Sequence, residues 1–142
     1  MFMMLIIVIS KISGIDMNTS LNQVKNEVSF KTDIFYSMFV ALIYAPIVEE
    51  VVFRGVVYKS IKRNYGGFKA ILISSFLFGA MHVMNSFNNL SFSELIYFSI
   101  YFIMGIALGI SYEYTNSIWG SIINHFIWNF ITLIIMFIKI II

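Results

Sequence analysis

Long unbroken apolar runs, rather than alternating apolar and polar positions, dominate this chain. Segment A runs from about Ile34 to Arg63, segment B from about Phe68 to Met84, segment C from about Leu95 to Ser111, and segment D from about Ile118 to the C-terminus. Continuous runs of this kind predict helices rather than strands. Asn64, Tyr65, Gly66 and Gly67 form the A–B turn, Asn85 to Ser93 separate B from C, and Tyr112 to Ser117 separate C from D. A further apolar run, Met1 to Ile9, is shorter than the roughly 20 residues that a bilayer requires. It lacks the basic flank and small-residue cleavage site of a signal peptide and is read as the stub of a helix. Lys11 to Asp33 is polar with mixed charges and reads as a loop or an amphipathic surface segment. The expected architecture is all-α: a polytopic transmembrane bundle of four spanning helices plus the stub. Residues 1–33 hold the stub and polar loop, and residues 34–142 the core.

Composition decides the solvent. Of 142 residues, 60% are hydrophobic and only 11% charged, with a mean hydropathy of +0.90. Soluble domains carry about 25% charged residues, so this chain cannot cover a water-facing surface and lipid is its expected surroundings. The net charge of +2 gives no reason to expect a nucleic-acid partner. Cysteine is absent, which removes disulfides, thiolate metal sites and a cysteine nucleophile. Richness in Ile, Phe, Asn and Lys points to AT-rich coding, and so to a bacterial cytoplasmic membrane. Lys59, Lys62, Arg63 and Lys69 cluster around the A–B turn. By the positive-inside rule that turn faces the cytoplasm, and the C–D turn should lie on the same side.

Against this background a few residues stand out. Asp16, Glu27, Asp33, Glu94 and Glu113 lie in loops or at segment ends, whereas Glu49, Glu50, Arg54, His82 and His125 lie within spans. An ionisable group at the bilayer centre costs roughly 3 kcal/mol on insertion scales, and such groups normally face a bundle interior or a wet cavity. Glu50 and Arg54 are four apart and can pair on one helix face. Glu49 lies about 100° round the helix from Glu50, so one carboxylate can be neutralised while the other stays available to act on water. Pro46, one turn earlier, should kink the helix and free the carbonyl of Leu42. Glu49 and His82 are each some 16 residues, or roughly 24 Å, from the centre of the A–B turn. An antiparallel hairpin therefore sets them level. His125 lies about ten residues past Thr115, or roughly 15 Å from the C–D turn, a mismatch of roughly 9 Å that tilt and a long helix A would have to absorb. Asn129 shares the face of His125, and Phe78 that of His82.

Glu49-Glu50-Val-Val-Phe-Arg54 reads E-E-x-x-x-R, Phe78-Gly-Ala-Met-His82 reads F-x-x-x-H, and His125-Phe-Ile-Trp-Asn129 reads H-x-x-x-N. Their order, each on its own apolar segment, resembles the CAAX protease and bacteriocin-processing (CPBP, Abi-type) family of intramembrane proteases. The resemblance covers about Phe39 to Asn129. It implies an endopeptidase, similar to CAAX prenyl protease 2, acting on a membrane-associated peptide that is prenylated or belongs to a bacteriocin or signal system. In that likeness Glu49 is the catalytic base, Glu50 and Arg54 are its supporting pair, and His82, His125 and Asn129 complete the site. The family usually has about six to eight helices, so four plus a stub is short at the N-terminal side.

Two mechanisms fit these residue types. Either zinc or another divalent metal is held by Glu49, His82 and His125 and activates water, or Glu49 deprotonates water while the histidines and Asn129 stabilise the oxyanion. Each residue also has a structural role available: interhelical hydrogen bonding for His82, His125 and Asn129, and a structural ion pair for Glu50 with Arg54. A non-catalytic scaffold or self-immunity protein on the same fold is the alternative to an enzyme. A proton-coupled transporter is a third class, but neither a repeat nor a broken-helix pattern supports it.

Overall fold

The computed structural model describes residues 21–84 and 91–141. The apolar stub, Met1 to Ile9, and most of the B–C connection lie outside these residues. Among the described residues there is no strand, and the chain is all-α. Helix α1 spans Leu21–Thr32, so the second half of the polar stretch is helical. Asp33 then caps α2, Ile34–Phe39, by accepting the Tyr36 N–H at 3.0 Å.

Segment A does not continue as a regular α-helix. After α2 come a π-helical stretch, Val40–Tyr44, then α3, Ala45–Glu50, then a second π-helical stretch, Val51–Tyr58. The widened winding has a local cause at Pro46, whose missing N–H breaks the regular ladder. Helix α4, Lys59–Val83, carries the chain round the A–B turn, where Gly66 adopts φ 82°, a left-handed conformation that glycine tolerates. Helix α5, Phe92–Thr115, begins at a Ser91 cap one turn earlier than the sequence pattern suggests. It ends at Asn116 with φ 50°, a conformation asparagine accepts more readily than most residues. Helix α6, Ile118–Ile141, closes the bundle.

Small residues let the helices approach. A Cβ added at Gly105 of α5 would sit 3.0 Å from the Ser75 backbone, and one at Gly79 would sit 3.2 Å from the Phe102 nitrogen. Such contacts are the usual means of tight helix packing where lipid supplies no hydrophobic drive between helices. Phe53, Phe78, Met104 and Leu108 form the core at this crossing, with Tyr101 and Trp128 against it. Many large apolar side chains remain on the outside, among them Phe35, Phe68, Ile103 and Trp119.

Both turns lie at one end of the bundle. Glu113, near the end of α5, accepts from Lys62 Nζ at 2.6 Å and from the Tyr58 hydroxyl, both in the segment leading to the A–B turn. At the opposite end the Leu21 N–H donates to Glu94 Oε1 at 3.0 Å, which fastens the start of α1 to the start of α5. Glu94 is thus a buried anchor in the first turn of α5 rather than a loop residue.

Candidate active site

The motif residues come from α3, the second π stretch, α4 and α6. Glu50 and Arg54 are fully buried, and Arg54 Nη1 donates to Glu50 Oε1 at 2.9 Å. The other end of the guanidinium, Nη2, donates to the Gly105 carbonyl at 2.8 Å, and its carbon lies 5.1 Å from the centre of the Phe78 ring. Gly105 therefore serves two purposes, since its lack of a side chain admits α4 and its carbonyl receives Arg54. A buried ion pair leans on further hydrogen bonds, and a third partner adds one here, while Glu50 Oε2 and Arg54 Nε have none among the described residues. Glu50 Oε1 also accepts from His125 Nδ1 at 3.0 Å.

That contact settles the orientation of the His125 ring. Since the carboxylate accepts, Nδ1 carries the hydrogen, and in the neutral ring Nε2 offers a lone pair. His82 follows the same logic from a different partner. Its Nδ1 faces the Phe78 carbonyl at 2.8 Å, one turn back on its own helix, so Nδ1 donates and Nε2 is left facing outward. Both Nε2 atoms point at the same atom: Glu49 Oε2 lies 3.8 Å from that of His82 and 3.9 Å from that of His125. Among the described residues no group donates a hydrogen bond to Glu49 Oε2, although the atom is buried.

Three atoms with lone pairs thus face the same space, which a water or a cation between them would satisfy. Two groups that each hydrogen-bond a common water at about 2.8 Å stand roughly 4.6 Å apart at a tetrahedral angle, somewhat beyond the separations seen here. Ligands sharing a tetrahedral zinc at about 2.0–2.1 Å stand roughly 3.3 Å apart. Among the described residues no group of three or more His, Asp or Glu side chains forms a metal-holding set. The separations of Glu49 Oε2 from the two Nε2 atoms lie between these values, so Glu49, His82 and His125 could hold either a water or an ion.

Glu49, His82, His125 and Asn129 all line one cavity of about 550 Å³. Asn129 does not point its amide nitrogen toward Glu49: Nδ2 donates to the Ala41 carbonyl at 2.7 Å. The roughly 9 Å mismatch in depth anticipated for His125 is absorbed, since it stands as close to Glu49 as His82 does. The π-helical turns of segment A wind more residues per turn than an α-helix, so depth counted at a regular α-helical rise misplaces Glu49.

Two contributors carry no signal in the sequence pattern. Tyr101 of α5 stacks on His82 with ring centres 4.1 Å apart, and its hydroxyl accepts from Asn22 Nδ2 of α1 at 3.0 Å. Asn22 and Asn26 of α1 line the cavity as well. Segment C has no ionisable residue in its middle to draw attention to Tyr101, and α1 lies in a stretch whose polarity reads as surface.

The described helices form a strongly apolar bundle with its central charges gathered round one interior cavity. Residues 31–131 match the family model described as "Type II CAAX prenyl endopeptidase Rce1-like". The chain belongs to this family, the CPBP proteases whose motifs it carries. It is 31% identical over 90 residues to "Putative membrane peptidase YdiL" of Bacillus subtilis (strain 168), across 63% of this chain and 33% of that protein. The match thus spans about a third of the curated relative's length. No solved structure matches the chain.

Proposed function

We propose that the protein is an intramembrane endopeptidase that hydrolyses a peptide bond of a membrane-associated substrate by glutamate-activated water. The observation that carries this reading is the buried, hydrogen-bond-free Glu49 Oε2, faced by two imidazole Nε2 atoms in a cavity. Glu49 takes a proton from water, the resulting hydroxide oxygen bonds to the scissile carbonyl carbon, and the C=O electron pair moves onto oxygen. The proton then passes to the amide nitrogen as the C–N bond breaks. On its way from water to the leaving nitrogen the proton can rest on Nε2 of His125, and that ring is then a donor to the oxyanion. Glu50 at Nδ1 offsets the charge on His125. Family membership and the named relative support peptide hydrolysis. The family description supports a substrate of the prenylated CAAX type, and a bacteriocin or signal peptide is the other class proposed.

The proposed setting is a bacterial cytoplasmic membrane crossed by four helices, with both turns on the cytoplasmic side. Phe92–Thr115 and Ile118–Ile138 are each long and apolar enough to cross. The run from Ile34 to Tyr58 and helix α4 would supply the other two spans. Because the chain has no native cysteine, single cysteines at Arg63 and at Phe92 test the topology directly. Impermeant thiol reagents should reach them from opposite faces, and labelling from one face refutes it.

For the activity, the purified chain in proteoliposomes is assayed with internally quenched peptides bearing an apolar membrane-spanning segment, with and without a prenyl group. Glu49→Gln keeps the shape but removes the base, and cleavage should fall by about 10²–10⁴-fold, the usual contribution of a general base. Cleavage should persist after exhaustive chelation. Loss on chelation with recovery on adding zinc would favour a metal held by Glu49, His82 and His125. Undiminished cleavage by Glu49→Gln, or a Glu49→Gln variant that retains the cellular phenotype in full, would favour the scaffold or self-immunity alternative.

A further inference from the structure

We propose that Asn129 is a positioning residue, whose side-chain amide supplies the hydrogen bond that Pro46 denies to the Ala41 carbonyl and so holds α6 against the helix bearing Glu49. This rests on the reading of Glu49 as the base. In a regular α-helix the Ala41 carbonyl would accept from the N–H of Ala45. Here the Ala45 N–H goes instead to Val40, five residues back. In that π register the partner of Ala41 is residue 46, and residue 46 is proline, which has no N–H. The α-helical and the π-helical backbone partners are therefore both unavailable, and the carbonyl accepts from another helix, from Asn129 Nδ2 at 2.7 Å. A carbonyl can only accept, which fixes the nitrogen of the Asn129 amide as the atom facing it.

The consequence reaches the site by a short route. Asn129 lies one turn beyond His125 on α6, and His125 is itself bonded to Glu50. Helix α6 is thus tied to the Glu49-bearing segment at two points in sequence, Ala41 before Glu49 and Glu50 after it. The two ties together set where His125 Nε2 stands relative to Glu49 Oε2. The α-helical spacing from Pro46 points to the Leu42 carbonyl, and the π register brings in its neighbour Ala41.

A donor to the oxyanion and a donor to Ala41 respond differently when the missing N–H is restored. Wild type, Asn129→Ala, Pro46→Ala and the double variant are compared for cleavage of the quenched membrane peptide and for thermal midpoint in detergent. Pro46→Ser replaces Pro46→Ala if the latter does not fold. With Pro46 present, Asn129→Ala should lower kcat by about 10²-fold, as misplacement of reacting groups does, with KM little changed. In the Pro46→Ala background, where residue 46 again has an N–H, the same change should cost no more than about twofold, the scatter of independent sites. Asn129→Asp, nearly isosteric but unable to donate when ionised, should resemble Asn129→Ala. Equal losses of kcat in both backgrounds would overturn the proposal and make Asn129 a donor to the reaction itself. The thermal midpoints keep the two questions apart. A midpoint loss that Pro46→Ala removes, in a chain that cleaves nothing, would retain the Ala41 tie and reject the protease reading. Midpoint losses of equal size in both backgrounds would reject the tie even in an active protease.

Discussion

Two clusters of charge in this protein use the same kinds of side chain to different ends. Near the turns, Lys62 meets Glu113 at 2.6 Å with both side chains well exposed, 44% and 39%. In the interior, Arg54 meets Glu50 at 2.9 Å with both at 0%. The distances are nearly equal, so Coulomb's law applied to them alone would rank the pairs together. Surroundings separate them. Water and salt screen the first pair, and such surface pairs contribute about 0–1 kcal/mol. The second has left water, and its worth lies in mutual dependence: neither partner can be lost without stranding the other in an apolar interior. The interior cluster is also divided internally. Glu50 is committed through Oε1 to Arg54 and His125, while Oε2 of Glu49, its neighbour in sequence, has no hydrogen-bond partner among the described residues and faces two imidazoles.

The comparison breaks if the interior pair proves as dispensable as the outer one. Arg54→Met should destabilise the folded state by about 3–5 kcal/mol, the cost of leaving a buried charge without its partner. It would appear as a large fall in the thermal midpoint in detergent. Adding Glu50→Leu to Arg54→Met should return part of that loss, because the stranded carboxylate goes with it. A double variant no better than the single one would show that the cost is packing rather than charge. At the small end of the scale, Lys62→Ala should shift stability by no more than about 1 kcal/mol, and high salt should shrink even that. A salt-insensitive loss as large as that of Arg54→Met would place the Lys62–Glu113 pair in a dry environment and erase the distinction.

Much of the site is legible in the amino-acid sequence. Charges are so scarce in the spans that Glu49, Glu50, Arg54, His82 and His125 identify themselves, and the four-residue spacing already allows Glu50 to pair with Arg54. The length and continuity of the apolar runs announce an all-helical chain. Harder to see is anything that depends on backbone register. Pro46 signals a broken ladder, yet whether the break falls on Leu42 or Ala41 depends on whether the turn winds as α or π, which residue spacing alone does not state. Tyr101 and Asn22 are invisible for another reason. An aromatic residue in an apolar span and an asparagine in a polar stretch look like their surroundings, and only the stack on His82 and the hydrogen bond between them give them a place.

The sequence by itself determined the solvent, the secondary structure class and the list of residues too costly to bury without a purpose, because these follow from composition and spacing along one chain. Tertiary structure decided which carboxylate is neutralised in fact, which nitrogen of each histidine faces the cavity, and what Asn129 holds. Those outcomes depend on partners far away in sequence. Gly105 receives Arg54 across 51 positions, Glu50 meets His125 across 75, and Ala41 meets Asn129 across 88. A hydrogen bond of that kind is chosen by the donor that packing brings within about 3 Å, and no local pattern encodes which donor that will be.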